Sequence, residues 1–131
     1  MSCQVILLVE DEVLIRMLLA EVLRDKGYQV IEAASGDEGL AILLSGQHVT
    51  MIITDVRMPG QIDGMALATR AKQAWPQRPV VVMSSHLPAA DAAIADKFIA
   101  KPFVPAMLMK TIENLIGPPC QTPPPHNQTA S

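Results

Sequence analysis

Hydrophobic and polar positions alternate along this chain in blocks that predict strands followed by helices. Each predicted strand is a short apolar run that ends at charged or turn-forming residues, and most are followed by a segment with apolar residues at helical spacing. The predicted strands cover residues 5–9, 28–33, 49–54, 79–83 and 97–100. Strands that alternate with helices form a parallel sheet covered on both faces. We therefore predict an α/β fold of the flavodoxin-like, doubly wound (βα)5 type, with five parallel strands in the order 2-1-3-4-5.

The predicted helices have clear start and stop signals. The first covers residues 13–26, and Ser35 with Glu38 forms a capping box that opens the second. The third covers residues 64–74, and Pro105 suits the first turn of the last. Residues 88–96 allow only a short helix, so the fourth helix is predicted to be shortened. Ile15, Leu18, Leu19, Val22 and Leu23 are expected to face the core from the first helix.

The chain of 131 residues has the length of one domain. Residues 118–131 are rich in proline and have no apolar periodicity, which is typical of disorder. We therefore predict one folded domain over residues 1–117, which stands alone, and a disordered Pro-rich tail over residues 118–131.

Charge and cysteine content narrow the function classes. A net charge of −3 and a pI near 5.5 argue against binding to nucleic acid or to an anionic membrane. The N-terminus lacks the features of a signal peptide, and no apolar run reaches membrane-spanning length. Cys3 and Cys120 fit no metal or redox spacing, so we expect two reduced thiols in a cytoplasmic protein.

Polar residues follow four of the predicted strands at their carboxyl ends. Glu10 and Asp11 follow the first strand, Asp55 the third, Ser84 the fourth and Lys101 the fifth. Parallel strands bring these ends to one edge of the sheet, where three carboxylates, a hydroxyl and an ammonium group are expected to converge. Carboxylates suit Mg²⁺, and a neighbouring cation and hydroxyl suit a phosphoryl group. Because the sequence has no glycine-rich nucleotide loop, an aspartate is the expected phosphoryl acceptor.

These residues resemble a known family over about residues 4 to 116. The segments Val9-Glu10-Asp11-Glu12, Asp55-Val56-Arg57-Met58-Pro59-Gly60 with Asp63-Gly64, Ser84, and Lys101-Pro102-Phe103 resemble the receiver domain of two-component response regulators. Two departures from the family pattern are visible. The loop from Pro59 to Gly64 is one residue longer than is usual, and the interval from Ser84 to Lys101 is shorter.

The resemblance implies a phosphoryl-accepting switch. Asp55 would accept a phosphoryl group from a histidine kinase or a phosphotransfer protein. Asp11, Asp55 and the backbone carbonyl of Arg57 would bind Mg²⁺, and Glu10 would bind it through a water. No other cofactor is expected.

The resemblance also implies how the signal leaves the domain. Ser84 and Lys101 would bind the phosphoryl group, and Phe98 would be the aromatic switch residue. The output would be contact with a downstream protein, or with a second copy, through the fourth helix, the fifth strand and the last helix. Enzymatic activity is expected only as self-phosphorylation and self-dephosphorylation.

Two alternatives remain open at the level of sequence. The first is a phosphotransferase or phosphatase with an aspartyl intermediate, although Arg57 stands where many such phosphatases carry an acid–base aspartate. The second is a receiver-like interaction module without phosphotransfer, although the full set of site residues argues against it.

Overall fold

The computed structural model describes residues 2–56, 60–84, 95–101 and 104–121. The predicted short helix over residues 88–96 lies mostly outside these ranges, as do Arg57 and the part of the tail after residue 121. The described elements are β1 (Ser2–Cys3), β2 (Val5–Val9), α1 (Val13–Asp25), β3 (Gln29–Ala33), α2 (Gly36–Leu44), β4 (Met51–Asp55), α3 (Gly64–Ala74), β5 (Val80–Ser84), β6 (Lys97–Ala100), α4 (Pro105–Ile116) and β7 (Cys120–Gln121).

The main sheet has five parallel strands in the order β3-β2-β4-β5-β6. When the short β1 is left out of the numbering, this is the predicted order 2-1-3-4-5, so the fold prediction is confirmed. The register pairs Val9 with Thr54, Asp55 with Met83, and Ser84 with Ala100. The carboxyl ends of the strands are therefore level with one another at one edge.

Two apolar clusters cover the two faces of the sheet. Ile6 and Leu8 of β2 belong to a cluster with residues of α1 and α4, whereas Leu7 and Val9 belong to one with residues of α2 and α3. This split follows from the alternation of side chains along a strand. Because both faces are buried at the centre of the sheet, β2, β4 and β5 are almost entirely apolar up to their carboxyl ends, whereas the edge strands β3 and β6 also carry polar residues. The central strands form a rigid support for the edge that carries the polar residues.

The outer surface of α1 differs from the prediction. Leu18 is predicted in the core, but it is 62% exposed and lies on one stripe with Val13, Leu14 and Met17. Leu19 points into the core, and adjacent residues on a helix point in directions that differ by about 100°. Leu18 is therefore carried away from the sheet, and α1 presents an apolar surface to solvent.

The first and last described segments of the chain pair with each other beside the amino edge of the sheet. β1 and β7 form an antiparallel pair in which Cys3 stands opposite Cys120. The Gln4 N–H donates to the Pro119 carbonyl at 2.6 Å, and the Tyr28 hydroxyl donates to the Gly117 carbonyl at 2.8 Å. Residues 118–121, which the sequence pattern assigns to a disordered tail, thus have a defined backbone position.

Cys3 is disulfide-bonded, so the expectation of two reduced thiols is wrong. The spacing rules for cysteines consider neighbours in sequence, and Cys3 and Cys120 come together only when α4 returns the chain to the start of β2. The sequence offers no local signal for this pairing.

Candidate functional site

Three carboxylates meet at the carboxyl edge of the sheet. Asp55 is the last residue of the central strand β4, and Glu10 and Asp11 directly follow the neighbouring strand β2. One carboxylate oxygen from each lies within 4.8 Å of the others. The predicted convergence of these three residues is therefore present in the structure.

The Lys101 side chain reaches these carboxylates from the end of the edge strand β6. It follows β6, and its Nζ lies 3.1 Å from Asp55 Oδ1 and 3.4 Å from Glu10 Oε1. Its backbone N–H donates to the Ser84 carbonyl at 2.8 Å, which fixes the start of the side chain beside the end of β5. One ammonium group thus bridges two of the three carboxylates.

Glu10 is the most buried member of the site. Its side chain is 0% exposed, and burial raises its pKa from 4.5 to about 7. The N–H of Glu12, which donates to Glu10 Oε2 at 3.3 Å, opposes that rise, whereas the negative charge of Asp55 adds to it. The charge of Lys101 favours the ionised form but does not outweigh burial. Burial therefore makes the protonated form of Glu10 more favourable than that of an exposed carboxyl group.

The surroundings favour the protonated, neutral form of Glu10 but the protonated, charged form of Lys101. Burial disfavours its charge, but the hydrogen bond to Asp55 and the negative charges of Glu10 and Asp55 outweigh burial and raise its pKa. Lys101 is consequently a fixed positive charge at every physiological pH. It partly neutralises an edge that would otherwise hold only carboxylates.

The Asp55 carboxylate is held through one oxygen. Oδ1 accepts the Val56 N–H at 2.9 Å and pairs with Lys101. Within the residues that the structure describes, no hydrogen bond or ion pair to Oδ2 is found. The backbone behind it is crowded, because a Cβ on Gly64 would overlap the Asp55 carbonyl oxygen.

The remaining predicted site residues are placed unequally. Ser84 ends β5 beside β4 and is buried. Phe98 lies on β6 and packs against the apolar cluster under α2 and α3. Arg57 is outside the described residues, so its predicted role as a backbone ligand remains a prediction.

Arg16, for which the sequence predicts no role, contacts the end of β2. Its Nη1 donates to the Glu10 carbonyl at 2.8 Å, and its Nε pairs with Glu32 of β3 at 3.2 Å. The helical pattern alone places Arg16 away from the core-facing stripe and suggests no role for it. Its position one turn into the helix that follows Glu10 is the available signal, since a long side chain there can reach back to the strand end.

The donor set fits a hard divalent cation. Glu10, Asp11 and Asp55 offer only oxygen ligands, which Mg²⁺ prefers, and their crowding leaves negative charge that Lys101 cannot fully balance. The site therefore suits a metal that binds through carboxylates and also accepts further oxygens from a substrate.

Comparison with known proteins agrees with this geometry. The response regulator receiver domain family matches residues 6–113, so the chain belongs to that family. The particular relatives include the transcriptional regulatory protein GlrR of Escherichia coli, to which the chain is 33% identical over 116 residues, 85% of this chain and 26% of GlrR. The chain thus spans about a quarter of the length of this relative.

Solved structures show the same fold. A CheY-like receiver domain protein from Methanospirillum hungatei superimposes with a TM-score of 0.81 at 25% identity, over 88% of this chain and 94% of that one. The response regulator TrrA of Thermotoga maritima, crystallised with Mg²⁺ and BeF, gives a TM-score of 0.79 at 28% identity, over 86% of this chain and 98% of that one. In the part of our chain that the structure describes, no helix has the length and apolar character needed to cross a bilayer.

Proposed function

We propose that this receiver domain accepts a phosphoryl group on Asp55 from a histidine kinase or a phosphotransfer protein, with Mg²⁺ bound by Asp11, Asp55 and the Arg57 carbonyl, and by Glu10 through a water. The observation that carries the proposal is the position of Asp55. Its carboxylate is close to two further carboxylates and pairs with the Lys101 ammonium group, which also contacts Glu10.

The residues explain how a carboxylate can serve as acceptor. Asp55 Oδ2 attacks the phosphorus, an O–P bond forms, and the N–P bond of the donor histidine breaks with its electron pair returning to the imidazole ring. Lys101 and the Ser84 hydroxyl then stabilise the added phosphoryl oxygens. Bound Mg²⁺ supplies positive charge that offsets the crowded carboxylates and the phosphoryl oxygens.

The alternatives explain the geometry less well. An interaction module without phosphotransfer has no need of a fully buried glutamate paired with a lysine beside Asp55. For a phosphatase or phosphotransferase, the position two residues after Asp55 is an arginine, which is a poor general acid–base group. We therefore assign only the phosphorylation and dephosphorylation of the domain itself, and a cytoplasmic setting among two-component proteins.

Two exposed apolar surfaces support separate partner contacts. The α1 stripe with Leu14 borders the acidic edge and suits the protein that delivers the phosphoryl group. Val104 and Met107, also exposed, lie at the start of α4 on the predicted output face and suit a downstream protein or a second copy. An acidic domain offers little attraction to nucleic acid, so protein contact is the proposed output.

Phosphorylation of the Asp55→Asn variant tests the assignment. Wild-type protein with Mg²⁺ and acetyl phosphate should gain one phosphoryl group by intact mass, and hydroxylamine should remove it. Asp55→Asn should gain none, because an amide oxygen is a poor nucleophile. Asp63→Asn, which changes an exposed helix-capping aspartate, is the control and should be labelled. Full labelling of Asp55→Asn would disprove the assignment.

A further inference from the structure

We propose that the first turn of α2 holds residues 60–62 of the loop that follows the phosphoacceptor, and that Asp37 is a positioning residue for the phosphorylation of Asp55. This inference rests on the proposed function of Asp55. The structural contacts on which it depends are independent of that function.

The first contact is made by the Asp37 side chain. Its Oδ2 accepts the Gln61 N–H at 3.2 Å. Gly60, the preceding residue, has φ +106°, which a residue with a side chain rarely adopts. A Cβ on Gly60 would also collide with Asp37 Oδ2. The loop backbone thus approaches the carboxylate as closely as a glycine allows.

The second contact is backbone packing at the same turn. A Cβ on Gly36 would overlap the Ile62 carbonyl oxygen, so the loop lies directly against the start of α2. The Ile62 side chain packs on the apolar cluster beneath. Residues 60–62 are therefore held by a hydrogen bond, by close backbone packing and by apolar contact.

The other end of the loop is attached to Asp55 itself. The Gly64 N–H donates to the Val56 carbonyl at 2.8 Å, and Gly64 has no room for a Cβ against the Asp55 carbonyl. Asp63, which links Ile62 to Gly64 in the chain, caps α3 by accepting the Ala66 N–H at 2.8 Å. A continuous series of contacts therefore runs from Asp37 to the Asp55 backbone.

The neighbouring acid provides a matched comparison. Glu38 is also in the first turn of α2, but its Oε1 accepts the Ala34 N–H at 2.9 Å and makes no contact with the loop among the described residues. Both acids complement the positive end of the helix dipole. Only Asp37 accepts a hydrogen bond from the loop, whereas Glu38 accepts one beside the helix start. A role limited to helix stability therefore predicts an effect of Glu38→Ala at least as large as that of Asp37→Ala.

The test compares Asp37→Ala, Asp37→Asn and Glu38→Ala. We measure the Mg²⁺ concentration that gives half-maximal phosphorylation by acetyl phosphate, because the predicted carbonyl ligand Arg57 belongs to the same loop. Asp37→Ala should raise this concentration about 3- to 10-fold, the loss expected for one ordinary, solvent-exposed hydrogen bond. Asp37→Asn retains an acceptor oxygen and should restore a value near that of the wild type. Glu38→Ala should leave it unchanged even where its Tm falls.

Amide hydrogen exchange tests the role of Asp37 independently of phosphorylation. Asp37→Ala should speed exchange at Gln61 and Gly64, whereas Glu38→Ala should not. Equal exchange at these amides in all variants, or equal Mg²⁺ shifts for Asp37→Ala and Glu38→Ala, would overturn the inference. A wild-type protein that takes no phosphoryl group would instead contradict the proposed function, and the exchange data would still decide the role of Asp37.

Discussion

The buried Glu10 carboxyl should make the metal-free protein less stable as the pH rises. Its pKa is about 7 in the folded protein, against the ordinary value of 4.5 that it has when the chain is unfolded. Between these values the folded state holds a proton that the unfolded state has lost. Stability therefore falls as the pH rises through this window, and the loss is complete above the folded pKa.

The magnitude follows from the size of the shift. Each pKa unit corresponds to about 1.4 kcal/mol, so a change from 4.5 to about 7 gives a loss of about 3 kcal/mol between pH 4 and pH 8. Because the side chain is 0% exposed, solvent screening does not reduce this value substantially. Glu10→Gln removes the titration, so the variant should gain stability relative to the wild type by about this amount as the pH rises across the window.

Urea unfolding at several pH values, with EDTA present, measures the effect. The quantity of interest is the difference between Glu10→Gln and wild type, since all other titrating groups contribute to both. Glu12→Gln, which removes an exposed carboxylate two residues away, is the control, and the Glu10→Gln difference should grow with pH by more than the Glu12→Gln difference. If the Glu10→Gln difference is flat from pH 4 to pH 8, Glu10 is not buried as a carboxyl of raised pKa.

Two further predictions concern the surface and the termini. Leu14→Asp, at a position 80% exposed, should slow phosphorylation by a histidine kinase but not by acetyl phosphate. The control Leu44→Asp, at a position 67% exposed on α2, should slow neither reaction. Equal rates of phosphorylation by the kinase for the two variants would contradict docking of the donor on α1. Cys3→Ser should lower the free energy of unfolding by about 2–4 kcal/mol relative to the oxidised wild type, and a reductant should remove the difference. A difference that persists in reductant would mean that the disulfide is not its source.

Much of the site could be predicted from sequence because topology alone brings it together. Once strands and helices alternate, a parallel sheet follows, and every strand end arrives at the same edge. Glu10, Asp55 and Lys101 could then be grouped although they are far apart in the chain. Their ion pairs follow from that shared edge and from side chains long enough to reach across it.

The features that escaped prediction depend on orientation and on distant packing. Helix α1 has more apolar residues than can face the sheet at once. Their spacing alone therefore could not show that Leu18 is exposed while Leu19 is buried. The role of Arg16 depends on a rotamer that points back toward β2. The Cys3 pairing depends on where α4 ends, which no local spacing reveals.

Lys101 is the residue through which a change at Asp55 can spread across the sheet. Its ammonium group is shared between Asp55 on β4 and Glu10 after β2, while its backbone N–H is bonded to Ser84 at the end of β5. A phosphoryl group on Asp55 adds negative charge beside that ammonium group, so the balance of its two ion pairs must change. Because the backbone of Lys101 continues directly from β6, we expect a change in these ion pairs to act on the end of that strand. The proposed output surface at the start of α4 lies only a few residues further along the chain. We therefore expect phosphorylation of Asp55 to affect the proposed partner surface through the changed ion pairs of Lys101.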